Sequence, residues 1–105
     1  MTISENIIIG DNIAWRADDI LKAIRKKEPC GYLVWYAITT ALENENLMYI
    51  LSGMEMRHEV YLESDLKILG LAGSREEAGK IVLNLVQVGY NKGNILNMKE
   101  YLEMI

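Results

Sequence analysis

Two pairs of adjacent carboxylates, Asp18-Asp19 and Glu76-Glu77, come closest to a catalytic arrangement. Two carboxylates can divide the roles of acid and base, but neighbours on a helix point apart. Both pairs also fit the first turn of a helix, where negative charge stabilises the helix dipole. The chain has no P-loop, no G-x-G-x-x-G and no G-x-S-x-G sequence. We therefore expect a protein that is not an enzyme.

Cys30 and His58 are the only cysteine and the only histidine in the chain. Alone, they exclude an internal disulfide and a zinc site built from cysteine and histidine. Cys30, beside Gly31, is most simply a small buried apolar residue, and His58 is expected at the surface or at a strand edge. His58 also lacks the partners of a catalytic triad. We expect no metal ion, no cofactor and no small-molecule substrate.

Ser74 and Glu77 have the S-x-x-E spacing of a capping box, which begins a helix. Apolar residues follow at i, i+3, i+4 and i+7, the spacing of a face packed on a core: Ala78, Ile81, Val82 and Leu85. Gly89 can supply the left-handed residue that ends such a helix. The pattern predicts a helix over residues 74–88, whose outer face carries Glu77, Lys80, Asn84 and Gln87.

A shorter helix is predicted upstream, from a Ser64 cap through about Leu71, with Gly73 breaking the chain before Ser74. Two helices joined by a short glycine turn form a helix-turn-helix unit. Downstream, residues 88–90 and 94–98 flank Asn91-Lys92-Gly93, an Asn-x-Gly loop typical of a hairpin. The order predicts an α+β, winged helix-turn-helix fold with three to four helices and a short antiparallel β wing.

The rest of the chain is predicted to support this motif. Residues 16–27, RADDILKAIRKK, have helical apolar spacing, acids in the first turn and four cations near the end, which complement the dipole or bind phosphate. Residues 32–42 form an apolar run that periodicity cannot assign, although its length favours a buried helix. Residues 47–51 and 58–62 are predicted as short strands. Without a repeat or a linker composition, residues 1–105 are predicted to form a single domain.

The net charge of −4 argues against binding nucleic acid through a general basic surface, since Lys and Arg supply most non-specific affinity for phosphate. Residues 43–77 hold eight acidic against three basic residues, so the acid excess falls on the same half as the predicted motif. No apolar run approaches the roughly 20 residues that cross a bilayer, and the N-terminus lacks the basic start of a signal peptide. We expect a cytoplasmic protein without membrane contact.

One stretch resembles a known family: residues 18–46, DDILKAIRKKEPCGYLVWYAITTALENEN. In this stretch Asp19 and Ile20 open one predicted helix, and Gly31-Tyr32-x-x-Trp35 starts the next. This pattern is similar to the N-terminal domain of phage replisome organiser proteins, relatives of the DnaD-type replication-initiation family. The predicted element order extends the resemblance over residues 16–105. It implies a winged helix that serves replication initiation by binding DNA, self-associating or docking on replisome partners, with Gly31, Tyr32 and Trp35 as packing residues.

The family's proteins usually carry a longer tail beyond the winged helix, whereas this sequence ends at Ile105. The difference leaves adaptor, repressor and inhibitor roles open beside a direct role in replication.

A protein-interaction module is the favoured function, because Met and Tyr are enriched at interfaces and exceed what a small core easily hides. The residues concerned are Met1, Met48, Met54, Met56, Met98, Met104, Tyr49, Tyr61, Tyr90 and Tyr101. The alternative explanation for these Met and Tyr residues is that they fill the core of the protein. We expect a homodimer or larger assembly and a protein partner. The expected contact residues are Ile7, Ile8, Ile9, Tyr101, Leu102, Met104 and Ile105.

DNA binding is the alternative function, with the helix over residues 74–88 in the major groove. The candidate contact residues are Arg57, Ser74, Arg75, Lys80, Asn84 and Gln87, with Asn91 and Lys92 in the wing. Glu76 and Glu77 would repel phosphate at the start of this helix. Any DNA binding is therefore expected to be weak and salt-sensitive.

Overall fold

The computed structural model describes residues 1–28, 34–41, 47–91 and 98–105. Its strands are β1 (Thr2–Ile9), β2 (Tyr36–Thr40), β3 (Met48–Ser52) and β4 (Lys67–Ala72). Within these residues there are four α-helices, α1 (Ala17–Arg25), α2 (Glu59–Leu62), α3 (Arg75–Asn91) and α4 (Met98–Met104), and two short 3-10 turns, Ala14–Arg16 and Glu55–Arg57. The mixed α+β class with four helices is thus confirmed.

The strands form one sheet in the order β1-β4-β2-β3, in which β4 is parallel to β1 and antiparallel to β2. Strands β2 and β3 are antiparallel neighbours. Thr39 lies opposite Ile68 and Ile38 lies opposite Gly70, so Leu69 is an extra residue in β4. An extra residue of this kind is a β-bulge, which breaks the alternation of side chains along the strand.

Both faces of the sheet are covered by helices. On one face, α1 and the turn before α2 build a core from Ile13, Ala17, Ile20, Ile24, Trp35, Ala37, Leu51, Met56, Leu66, Ile68 and Leu71. On the other face, α3 and α4 build a second core from Ile38, Leu69, Ala72, Ala78, Ile81, Leu85, Tyr101 and Leu102. Neighbours such as Ala37 and Ile38 enter different cores, because side chains alternate across a strand.

Helix α3 begins at the predicted Ser74 cap, although the Glu77 side chain accepts from the N–H of Gly73 in place of that of Ser74. The hydroxyl of Ser74 accepts a hydrogen bond from the backbone N–H of Glu77 at 3.1 Å. The helix continues to Asn91, three residues beyond the predicted end, so the expectation that Gly89 ends it was wrong. Gly89 is buried against α4 instead, where an added Cβ would lie 2.7 Å from Sδ of Met98. The glycine permits the two helices to approach closely.

Residues 65–71, predicted as the first helix of a helix-turn-helix unit, were assigned wrongly, because most of them belong to β4. The unit that ends in α3 is a strand, a turn and a helix. A helix was also the wrong prediction for residues 32–42, which contain β2. Both strands are buried on two faces, so their apolar residues form continuous runs, without the alternation that identifies a strand.

Other predicted elements have mixed outcomes. The helix over residues 16–27 and the strand over 47–51 are confirmed by α1 and β3, but residues 58–62 were wrongly predicted as a strand, since most of them form α2. Residues 88–90, predicted as the first strand of the wing, are the end of α3, and Met98 begins α4. The remaining predicted wing, including Lys92, lies outside the described residues, as do Cys30, Gly31 and Tyr32.

Replacing Ser74 with alanine tests the cap. Ser74→Ala removes the acceptor for the Glu77 N–H and should lower the free energy of unfolding by about 1 kcal/mol. Ser74→Thr keeps a hydroxyl acceptor and should lose less. Urea unfolding followed by circular dichroism measures both variants. Equal stability of Ser74→Ala and the parent protein would show that the hydroxyl does not stabilise the helix start.

Candidate functional site

The exposed side of α3 carries two stripes that run along the helix. The first, called the apolar stripe, consists of Gly79, Leu83, Val86 and Tyr90. The second, called the polar stripe, consists of Lys80, Asn84, Gln87 and Asn91. Each has the spacing i, i+4, i+7 and i+11, which keeps its residues in line over three turns.

The apolar stripe carries two large side chains that face solvent, Leu83 and Tyr90. Leu83 and Tyr90 are each 57% exposed, whereas Leu85, on the inner side of the same helix, is 4% exposed. Val86 is half-buried, and an added Cβ on Gly79 would meet no atom within 4 Å. The alternating spacing of four and three residues is that of the seam along which paired helices pack. The stripe can therefore receive another helix.

Sequence reasoning missed the apolar stripe and found the polar one. It assigned one apolar face to α3, the buried face, and took the remaining side as polar. The sequence does contain the signal. A second apolar series with helical spacing runs from Gly79 to Tyr90, beside the buried series from Ala78 to Leu85. A helix with two such series packs on its own core through one and presents the other.

The segments expected to form an interface at the two ends of the chain are largely packed in the cores. Ile7, Ile8 and Ile9 are half-buried against the two cores, and Tyr101 and Leu102 are buried. The expectation is therefore wrong for Tyr101 and Leu102, and for Ile7, Ile8 and Ile9 it stays a prediction. Only part of the Met and Tyr set is well exposed, namely Met54, Tyr90 and Met104.

The residues predicted to contact DNA do not form one surface. Lys80, Asn84, Gln87 and Asn91 are exposed together in the polar stripe. Ser74 and Arg75 lie at the start of the same helix, where the Ser74 hydroxyl is used by the cap and Arg75 lies 5.7 Å from the ring of Tyr36.

Arg57 is separated from this group. It lies in the 3-10 turn beside Met56, which belongs to the core on the α1 face, whereas α3 covers the opposite face of the sheet. The expectation that Arg57 contributes to the same DNA interface is therefore wrong, because the sheet stands between it and α3.

The charge of α3 offers little attraction to phosphate. Its two cations, Arg75 and Lys80, are balanced by two anions, Glu76 and Glu77. Nζ of Lys80 also lies 3.9 Å from Oε1 of Glu76, with both side chains well exposed. An exposed pair of this kind contributes little to stability, but it lowers the positive potential around Lys80.

The carboxyl ends of β1 and β4 form a second place where a ligand could bind. These strands are parallel neighbours, and the chain leaves β1 toward the α1 face but leaves β4 toward the α3 face. In α/β sheets, ligands commonly bind in the crevice between two such strands. The start of α3 there also provides backbone N–H groups that favour anions.

Glu77 occupies this crevice with its own carboxylate. Its Oε1 accepts a hydrogen bond from the N–H of Gly73 at 2.8 Å, and its Oε2 accepts one from the N–H of Asn12 at 3.0 Å. The prediction that Glu77 lies on the outer face of the helix was therefore wrong. Because the carboxylate joins the turn after β1 to the turn after β4, its contribution is structural, and we call this contact the Glu77 clasp.

A cavity of about 130 Å³ lies beside the core of the α1 face. It is lined by Ile24, Lys27, Glu28, Trp35, Gly53, Met56, Arg57 and Leu62. Lys27 at its rim pairs with Glu63 at 3.3 Å. A cavity of this size can hold a molecule no larger than about a benzene ring.

Within residues 1–28, 34–41, 47–91 and 98–105, no group of three or more His, Cys, Asp or Glu side chains is placed to hold a metal ion. No helix in this part of the chain is both long enough and apolar enough to cross a membrane.

No protein-family model matches the chain, and comparisons with curated proteins and with solved structures also gave no match. The resemblance to phage replisome organiser proteins thus stays a prediction from the sequence.

Removal of the Glu77 clasp should destabilise the fold. Glu77→Ala leaves the N–H groups of Gly73 and Asn12 without this acceptor, so we expect a loss on the order of 1–2 kcal/mol in the free energy of unfolding. Glu76→Ala, at the exposed neighbouring position, is the matched control and should change stability by less than about 0.5 kcal/mol. Urea unfolding compares the two, and equal losses would contradict a structural role for the clasp.

Proposed function

We propose that this chain is a non-enzymatic interaction module that self-associates and binds protein through the apolar stripe of α3. The observation that carries the proposal is the exposure of Leu83 and Tyr90, each 57%, in line on one 17-residue helix. Isolated exposed apolar residues are normal on protein surfaces. An aligned series with the spacing of a helix seam is what a helix-binding surface requires.

The surroundings of the stripe support protein binding over phosphate binding. The cations and anions of α3 balance, and the helix is entered from β4 and not from a preceding helix. The crevice best suited to an anion already contains the carboxylate of Glu77. What α3 presents in quantity is apolar area and amides, which suit a protein partner.

A cytoplasmic setting in bacterial or phage replication or regulation completes the proposal. This part is supported by the resemblance of residues 18–46 alone. In such a setting the module would act by assembly.

A charge placed in the apolar stripe should abolish self-association. Leu83→Glu would bury a carboxylate in any helix pair formed there, at a cost that the small interface cannot offset. Asn84→Glu introduces the same charge one residue away, in the polar stripe, and should self-associate like the parent protein. Sedimentation equilibrium at tens of micromolar should give a mass above 12.0 kDa for the parent protein and near 12.0 kDa for Leu83→Glu. A parent mass of 12.0 kDa at every concentration would contradict self-association.

DNA binding through the polar stripe is the second candidate function. Its support is the alignment of Lys80, Asn84, Gln87 and Asn91 over three turns, because Asn and Gln side chains can form paired hydrogen bonds with adenine. Among the described residues of α3, only Arg75 and Lys80 supply positive charge. The affinity should therefore depend on salt as for roughly two phosphate contacts.

Reversing the charge of Lys80 tests this second function. If the polar stripe binds DNA, Lys80→Glu should abolish binding while folding is retained, because Lys80 is exposed and outside both cores. Lys22→Glu makes the same change on α1, across the sheet, and should leave binding by the stripe unchanged. Fluorescence anisotropy with duplex DNA, titrated with salt from about 50 mM, is the measurement. Unchanged binding by Lys80→Glu, or no binding by the parent protein at low salt, would exclude the polar stripe.

A further inference from the structure

We infer that the apolar stripe pairs with the same stripe of a second copy in antiparallel orientation, with Tyr90 of each copy covering Gly79 of the other. The inference rests on the proposed self-association and specifies its geometry. Four residues carry it, and their order along α3 matters as much as their exposure.

The stripe has a gradient of side-chain size. It begins at Gly79, which has no side chain, continues through Leu83 and Val86, and ends at Tyr90, the largest of the four. Space for a ring exists at the small end, since an added Cβ on Gly79 would meet no atom within 4 Å. Tyr90 at the large end is 57% exposed. The two ends therefore have complementary shapes.

Antiparallel pairing places large residues opposite small ones. If the two helices cross midway between Leu83 and Val86, Leu83 of one copy meets Val86 of the other, and Tyr90 meets Gly79. A parallel pair would oppose glycine to glycine and tyrosine to tyrosine, which leaves a void at one end and crowding at the other. Close packing at an interface favours the antiparallel arrangement.

Two further properties of α3 favour the same orientation. An antiparallel pair places the start of each helix beside the end of the other, so that their dipoles attract, whereas a parallel pair places like ends together. A two-fold axis through the crossing point also makes the contact isologous, so both stripes are buried against each other in a closed dimer. The hydroxyl of Tyr90 can stay in water while its ring lies over the glycine backbone.

The expected dimer is reversible. One pair of stripes, from Gly79 to Tyr90, extends roughly 16 Å along the helix at 1.5 Å per residue. A single pair of helices in contact over that length buries less than the roughly 800 Å² per partner of a typical stable complex. We therefore expect association at tens of micromolar and dissociation on dilution.

Cysteine cross-linking determines the orientation. In a Cys30→Ser background, Gly79→Cys and Tyr90→Cys are prepared separately, one carrying a mass tag, and are oxidised alone or after mixing. A disulfide needs Cα atoms about 4.4–6.8 Å apart. The antiparallel dimer should give a cross-link between the two variants in the mixture and little from either variant alone. Cross-linking of each variant with itself would overturn the inference in favour of a parallel pair.

A second variant separates packing from folding. Gly79→Leu fills the space meant for Tyr90 and should weaken self-association about tenfold or more, yet raise thermal stability, because leucine favours a helix more than glycine does. Gln87→Ala, in the polar stripe, should leave association unchanged. Undiminished association of Gly79→Leu would overturn the pairing of Tyr90 with Gly79. The proposed self-association is decided separately, by the mass of the parent protein, so a dimer without the expected cross-link refutes this geometry alone.

Discussion

Burial of β4 on both faces is the constraint on which the rest of the structure depends. Ile68 and Leu71 enter the core under α1, while Leu69 and Ala72 enter the core under α3 and α4. A fully buried Leu or Ile contributes roughly 1.5–3 kcal/mol, so this strand, with β2 beside it, joins the two helical layers. The bulge at Leu69 turns Gly70 toward the α3 face, where an added Cβ would lie 3.0 Å from Cγ2 of Ile81.

The position of α3 follows from that strand and from the Glu77 clasp. The helix leaves the carboxyl end of β4, and the carboxylate of Glu77 ties its first turn to the turn after β1. This contact and the packing of the inner face of α3 on its core fix the rotation of the helix, and so determine which of its residues face solvent. The same carboxylate fills the crevice in which many α/β proteins bind anionic ligands. The surface of α3 is what remains available to a partner.

On that surface, apolar and polar residues lie in separate stripes and suit different partners. Removing the apolar side chains of Leu83 and Tyr90 from water lowers the free energy, and a second copy offers a surface of matching shape. The polar stripe has side chains able to read bases, but the helix carries equal positive and negative charge, so little electrostatic affinity supports them. This balance is the physical reason for placing protein association before DNA binding.

The sequence by itself determined the features that depend on local interactions. The Ser74 cap, the helical spacing of α1 and α3 and the alignment of Lys80 with Asn84 and Gln87 all follow from residues a few positions apart. The tertiary structure decided the identity of β2 and β4, because a strand buried on two faces has the same continuous apolar run as a buried helix, and only pairing between distant residues such as Thr39 and Ile68 distinguishes them. It also decided that Glu77 turns inward, that Gly89 packs under α4 and that the sheet separates Arg57 from α3, since each depends on residues brought together by folding.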